Sequence, residues 1–258
     1  MNSEHYLIHG LADLIMSIGQ DAFIDKLVYL LRSNASFDDY VVLIYHPDYK
    51  PVVLSSSFAN DEWALWERYL NGAYLLSPFY DFCTKGGEGF VSLADIAPDD
   101  FYSSAYFKEY FESSHLVDEV GLVVQANDHA SYLLSLGRTK ALSTFNTRVS
   151  QKLQALFPVL NSLVKMHDNY HELPKRASHR NIKDYVLNFG EGILTPREKE
   201  VMQFLIRGYS SKESARSLQI SYETERVHRK NIYAKLAVNS QKELLGKIFD
   251  DIVNIPHS

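Results

Sequence analysis

Apolar residues return at helical spacing over residues 3–18 and 21–32, and each stretch predicts an amphipathic helix. The pattern then shortens. Residues 40–46 (YVVLIYH) and 51–58 (PVVLSSSF) are apolar runs on either side of Pro47-Asp48, which predicts two strands joined by a turn. Helical spacing resumes over 61–75, where Trp63, Trp66, Tyr69 and Tyr74 supply the apolar positions, and over the aromatic stretch 100–114. A second strand pair is predicted at 120–126 and 131–138 about Asn127-Asp128, followed by a long helix over 142–170, notched near Pro158. Helices and hairpins without regular strand–helix alternation predict an antiparallel sheet flanked by helices. After residue 193 the spacing becomes helical throughout, in four short pieces: 196–207, 211–218, 222–236 and 241–252.

The punctuation between those four pieces is unusually explicit. In Thr195-Pro196-Arg197-Glu198 a hydroxyl occupies a cap position, proline the first helical position and glutamate the third after the cap. Ser210 with Glu213 repeats this capping box, as does Ser240 with Glu243. Ser221 is a fourth cap, with Glu223 placed in the first turn against the helix dipole. Gly208 is placed to end the first helix in a left-handed conformation. Only Gln219, Ile220 and Ser221 separate the second helix from the third, the short joint of a helix-turn-helix.

Residues 194–246 resemble the DNA-binding domain of LuxR-type transcription regulators, a four-helix helix-turn-helix. The matching residues include Leu194, Thr195, Arg197 and Glu198 at the start, and Gly208, Ser210, Lys212, Glu213 and Ala215 around the first joint. Leu218, Ile220, Ser221, Thr224, His228, Asn231, Ile232, Lys235, Leu236, Val238, Glu243 and Leu244 continue the match. Two positions depart from the pattern. Ser214 stands where the family has an apolar residue, and Glu225 where it has valine. Positions 225, 228, 232 and 236 share one helical stripe, which should face the domain core. A carboxylate there is costly unless it pairs or reaches water, and Arg229 is one turn away. A tolerated edge position and an altered docking on DNA both remain open. The resemblance implies that Arg226, Val227 and Lys230, on the opposite face, meet base edges in the major groove. Lys212, Thr224 and Arg229 are expected at phosphates.

Charge agrees with this division. The 258 residues carry a net −6, which seems adverse for a DNA binder. Residues 191–258 hold 11 Lys/Arg against 9 Asp/Glu, a net +2, and the preceding 190 residues hold 15 against 23, a net −8. Six cations and three acids lie within 212–235, so positive charge gathers on the helix-turn-helix, as phosphate contact requires. The expected fold class is therefore α+β, with a sensor-like N-terminal α/β/α sandwich on an antiparallel sheet and an all-α C-terminal domain. The boundaries read as 1–171 for ligand sensing and dimerisation, 172–193 for a polar linker, and 194–258 for DNA binding. No apolar run is long enough to cross a bilayer, the N-terminus lacks the pattern of a secretion signal, and Cys83 is the only cysteine. A cytoplasmic location is expected.

The first 170 residues hold 26 of the 33 aromatics, so candidate ligand chemistry is sought there. Residues 66–82 (WERYLNGAYLLSPFYDF) resemble the signal pocket of acyl-homoserine-lactone receptors in Trp66, Tyr69, Tyr74 and Pro78. Ser77 stands where that family has aspartate, and serine is a poorer acceptor for the ligand amide. Aromatics beside carboxylates also suit a cationic ligand. Trp66, Tyr69, Tyr74 and Tyr80 are the expected wall of a pocket facing the sheet, with Asp81, Asp118 or Glu119 to anchor an amine. Each aromatic taken alone reads as core. Asp118-Glu119, just before the strand at 120–126, also reads as a solvated strand end.

His5/His9 and His167/His171 have metal-binding spacing, but no carboxylate or cysteine completes either pair, so surface or interface histidines and no metal are expected. The loop Lys85-Gly86-Gly87-Glu88-Gly89 lacks the features of a P-loop. No nucleophile–base arrangement and no phospho-receiver pattern is present, so neither an enzyme nor a cofactor is expected. The partners read from the chain are double-stranded DNA, a small-molecule effector and a second copy in a homodimer, with RNA polymerase a further candidate and no membrane. A protein whose N-terminal domain only dimerises or binds another protein remains the alternative.

Overall fold

Five antiparallel strands form one sheet, in the order Tyr49–Ser56, Asp39–His46, Ser131–Thr139, Leu116–Gln125 and Gly89–Ser92. The computed structural model describes residues 3–47, 49–58, 63–104, 106–111, 114–170 and 180–253. Asp48 of the expected first turn, residues 172–179 of the expected linker, and His171 lie outside them. In chain order the elements are α1 (Ser3–Met16), α2 (Phe23–Arg32), β1 (Asp39–His46), β2 (Tyr49–Ser56), α3 (Trp63–Leu70), α4 (Pro78–Thr84), β3 (Gly89–Ser92), α5 (Leu93–Ile96), β4 (Leu116–Gln125), β5 (Ser131–Thr139), α6 (Thr147–Tyr170), α7 (Arg180–Asn188), α8 (Pro196–Ile206), α9 (Ser211–Leu218), α10 (Tyr222–Leu236) and α11 (Gln241–Val253). The mixed α+β class is as the sequence predicts.

Two units emerge from the packing. The first gathers Met1–Glu62, Phe82–Ile96 and His115–Ala177, and the second Trp63–Asp81, Ala97–Ser114 and Ser178–Ser258. In the first unit, α1, α2 and α6 cover one face of the sheet. Leu14, Phe23, Leu27 and Leu31 meet Val42, Ile44, Leu122 and Leu134 from the strands and Leu153, Leu160 and Val164 from α6. Alternation along a strand then places Val41, Leu43, Val123, Leu133, Ser135 and Glu119 on the other face. At one end α6 is tied down by Asp168, which accepts hydrogen bonds from Tyr132 Oη at 2.9 Å and the Asn127 N–H at 3.1 Å. His167, expected at the surface or an interface, is buried within the first unit instead. It stacks on Phe23 with ring centroids 4.1 Å apart, and its Nδ1 accepts the Gly19 N–H at 3.1 Å.

In the second unit three of the four predicted caps form as read. Thr195 with Glu198 and Ser210 with Glu213 are complete capping boxes, and the Ser221 side chain accepts the Thr224 N–H. Ser240 accepts the Glu243 N–H at 3.1 Å, but the Glu243 carboxylate turns to the Asn239 N–H at 2.8 Å, so the reciprocal half of that box is missing. Gly208 adopts φ +84° after α8. A Cβ there would also lie 3.2 Å from the Phe101 backbone, so both conformation and space demand glycine. Two predicted helices break up. The stretch 61–75 stops at Leu70, because Gly72 takes φ 154° and residues 73–76 continue as a 3₁₀ turn. The stretch 100–114 is a 3₁₀ turn over Phe101–Ser103 and a π turn over Phe107–Phe111, with Ser104 Oγ accepting the Phe107 N–H at 3.0 Å between them.

Candidate functional site

Helix α10 presents two chemically opposed faces. Glu225, Ile232 and Leu236 are buried and His228 is half-buried, so the stripe identified in the sequence is the inner one. Thr224, Arg226, Val227 and Lys230 are exposed, with Val227 at 56 %. The valine left that open lies beside two cations, Arg226 and Lys230, on the same exposed side. Arg226 lies over the Tyr222 ring at 5.7 Å, which holds its guanidinium near the start of the helix. Lys212 is exposed on the first turn of α9.

Arg229 is placed differently. Its Nε donates to Glu225 Oε1 at 2.6 Å, and its Nη2 donates to the Tyr209 carbonyl at 2.7 Å. It is therefore engaged inside the domain, where it compensates a Glu225 that has no exposed surface. Glu225 Oε2 and Ser214 Oγ are buried and have no hydrogen-bond partner, so both departures from the LuxR-type pattern are internal and only partly satisfied. At the other end of α10, Lys235 Nζ reaches Glu198 at 2.7 Å. Burial alone would raise the Glu198 carboxyl, but hydrogen bonds from Lys235 and Thr195 outweigh it and hold the group below the usual carboxylate range.

The four candidate wall aromatics form a continuous ladder of ring contacts. Trp66 meets Tyr69 at 5.1 Å, Tyr69 meets Tyr74 at 6.3 Å and Tyr74 meets Tyr80 at 5.1 Å, all edge to face. Tyr74 is fully buried, and desolvation followed by the neighbouring tyrosines pushes its hydroxyl far above the usual phenol range. Among the candidate acids, Asp81 contacts Tyr209 Oη at 3.3 Å and Arg207 at 3.8 Å. Asp118 and Glu119 are not a strand end. The strand begins at Leu116, with a register shift before Asp118, so the two acids fall on opposite faces. Asp118 accepts the Phe145 N–H at 2.7 Å and the Glu119 N–H at 2.9 Å, which fixes the loop before α6.

Glu119 accepts a hydrogen bond from Ser135 Oγ. Its residue is half-buried but its carboxyl end is enclosed, and desolvation pushes the carboxyl up to about 7 against the lowering by Ser135. The folded protein thus keeps a proton that the unfolded chain releases near the ordinary value of 4.5. Stability from this group is complete below about pH 4.5, falls as pH rises to about 7, and is level above. Glu119→Gln should therefore stabilise at pH 8 by roughly 1–3 kcal/mol and change little at pH 4, as read by thermal melting at both pH values.

Among the described residues no group of three His, Cys, Asp or Glu could hold a metal, and no helix is long and apolar enough to cross a membrane.

The family described as bacterial regulatory proteins, luxR family, matches residues 192–246. A putative HTH-type transcriptional regulator from the exeN 3′ region of Aeromonas salmonicida is 26 % identical over 160 residues, 58 % of this chain and 82 % of that protein. The response regulator TodT of Pseudomonas putida is 44 % identical over 52 residues, a fifth of this chain and 23 % of that protein. The crystal structure of the VqsR LBD domain from Pseudomonas aeruginosa superposes with a TM-score of 0.55 at 28 % identity, covering 63 % of this chain and 95 % of that one.

Proposed function

From the premise that residues 192–246 are a LuxR-type DNA-binding domain, we propose that the chain is a ligand-responsive transcription regulator that docks α10 in the major groove. The observation that carries this reading is the exposed row Arg226, Val227 and Lys230, on the side of α10 opposite its buried stripe. Lys212 and Thr224, exposed at the first turns of α9 and α10, are the proposed phosphate contacts. Arg229 acts in docking only through the parts it holds together. Fluorescence anisotropy against a duplex selected by the protein from a random-core library tests the reading. Equal affinity for selected and scrambled duplexes would sink it.

The likeness to the LBD domain of VqsR supports an effector site in the N-terminal part. The ladder Trp66, Tyr69, Tyr74 and Tyr80 is the proposed wall, since rings with polar tips can enclose an apolar body and still orient a polar group. Tyr69 touches both neighbouring rings and is only half-buried. Tyr69→Ala should cut the thermal stabilisation given by a screened effector at least tenfold in effector concentration, while leaving DNA binding without effector within about twofold. A variant that responds as the parent does would place the ligand elsewhere. An amine is the proposed effector class, because the faces of these rings attract cations.

A dimer is the proposed assembly, and the outer surface of α6 its seam. Val159 is 44 % exposed, Met166 46 % and Tyr170 73 %. The alternative, α11, uses Leu244, Leu245, Ile248 and Phe249 in its own domain core. Sedimentation of a monomer at micromolar concentration, with and without DNA, would overturn this.

A further inference from the structure

The turn between α8 and α9 is gripped from two directions. From α10, Arg229 Nη2 donates to the Tyr209 carbonyl at 2.7 Å, while its Nε is held by the buried Glu225 at 2.6 Å. From the aromatic segment, Asp81, the residue after Tyr80, accepts from Tyr209 Oη at 3.3 Å and faces Arg207 at 3.8 Å. Gly208, between these two, packs under Phe101. Ser210 Oγ donates to Asp99 at 3.4 Å, and the Asp99 N–H donates to Glu213 at 3.0 Å. Four consecutive residues, 207–210, are thus tied to the helix that reads DNA, to the ladder proposed for the effector, or to the loop beside it. A bare hydrophobic stripe would give α10 no directed hold on this turn. The charged pair does, because a guanidinium anchored by a carboxylate presents its remaining N–H groups in a fixed direction.

We propose that Glu225 is a positioning residue, and that the chain Asp81–Tyr209–Arg229–Glu225 links the aromatic ladder to the pose of α10. This rests on the reading that α10 docks in DNA and that the ladder holds the effector. The carboxylate at 225 then has a purpose that valine could not serve. It aims Arg229 at the Tyr209 carbonyl, so any movement of the turn that Asp81 imposes reaches α10 through hydrogen bonds. Such a route is demonstrated only by coupling between its ends.

The test is a double-mutant cycle on the full chain. Four proteins (the parent, Asp81→Asn, Glu225→Val and the double variant) are titrated into a fluorescent duplex selected by the parent from a random-core library, and into a scrambled one. Asp81→Asn removes the charge at constant shape, and Glu225→Val replaces a buried acid by a smaller apolar side chain. Thermal melting checks that all four fold. Asp81→Asn is expected to tighten binding to the selected duplex about three- to tenfold in the parent, by releasing the turn to follow α10. In the Glu225→Val background the same change should shift Kd less than twofold. An equal shift in both backgrounds, a loosening in the parent, or no shift at all overturns the link. Failure of the parent to prefer any selected duplex would instead overturn the docking reading beneath it.

Discussion

Arg229→Ala is expected to destabilise the C-terminal domain by about 3–5 kcal/mol, because it leaves the enclosed Glu225 carboxyl without its ion-pair partner. The loss should appear in urea or thermal unfolding of the full chain as an earlier transition of the helix-turn-helix. Its mechanism has a distinct signature. Adding Glu225→Val to Arg229→Ala removes the stranded charge and should recover much of the loss, although the double variant has fewer hydrogen bonds than the single one. Buried pairs are poor stabilisers in net but severe to break on one side. If the double variant is as unstable as Arg229→Ala, the damage comes from the lost hold on the Tyr209 carbonyl, and the ion pair contributes little.

Arg226→Ala should weaken binding to a selected duplex roughly 10- to 100-fold, the ~1–3 kcal/mol of one well-placed base contact, and broaden the selected sequence at a single base pair. Lys212→Ala is the control. A residue at phosphate should weaken selected and scrambled duplexes alike and reduce the salt dependence by about one ion. Repeating the random-core selection with Arg226→Ala reads the specificity directly. A selected sequence unchanged at every position would reduce Arg226 to a phosphate contact. Domain stability should stay within about 0.5 kcal/mol of the parent, because the side chain is exposed and rests over the Tyr222 ring on the surface of its own helix.

The C-terminal helices were legible because their signals are local. A capping hydroxyl followed by an acid in the first turn fixes a helix start wherever the rest of the chain lies, and α8, α9 and α10 begin at the predicted residues. The stripe of α10 is equally local, since 3.6 residues per turn decide which side chains share a face. Long-range contacts leave no such local signal. Arg229 has the charge and position of a phosphate contact, and only the fold shows its partners at Glu225, four residues away, and at Tyr209, twenty away. His167 looks like half of a surface pair because its spacing to His171 is local, whereas its stacking on Phe23 joins opposite ends of the first unit. Asp118 and Glu119 are neighbours in sequence and seemed one acidic site. Strand alternation puts them on opposite faces, with unrelated tasks. The helix Arg180–Asn188, within the span read as linker, was hidden by its polar composition, although Val186 and Phe189 sit at helical spacing and are buried.

The aromatic ladder begins at Trp66, and the chain's two tryptophans, Trp63 and Trp66, both belong to α3. Every photon of indole emission from this protein therefore originates on one eight-residue helix at the head of the ladder. Residues 194–258, proposed to bind DNA, contain no tryptophan and are silent at that wavelength. Binding at the proposed effector wall and binding at the proposed DNA face would thus be spectrally separated. A label on the duplex and the native indole signal can be followed in one cuvette, so the order in which effector and DNA engage is open to stopped-flow measurement without altering a single residue.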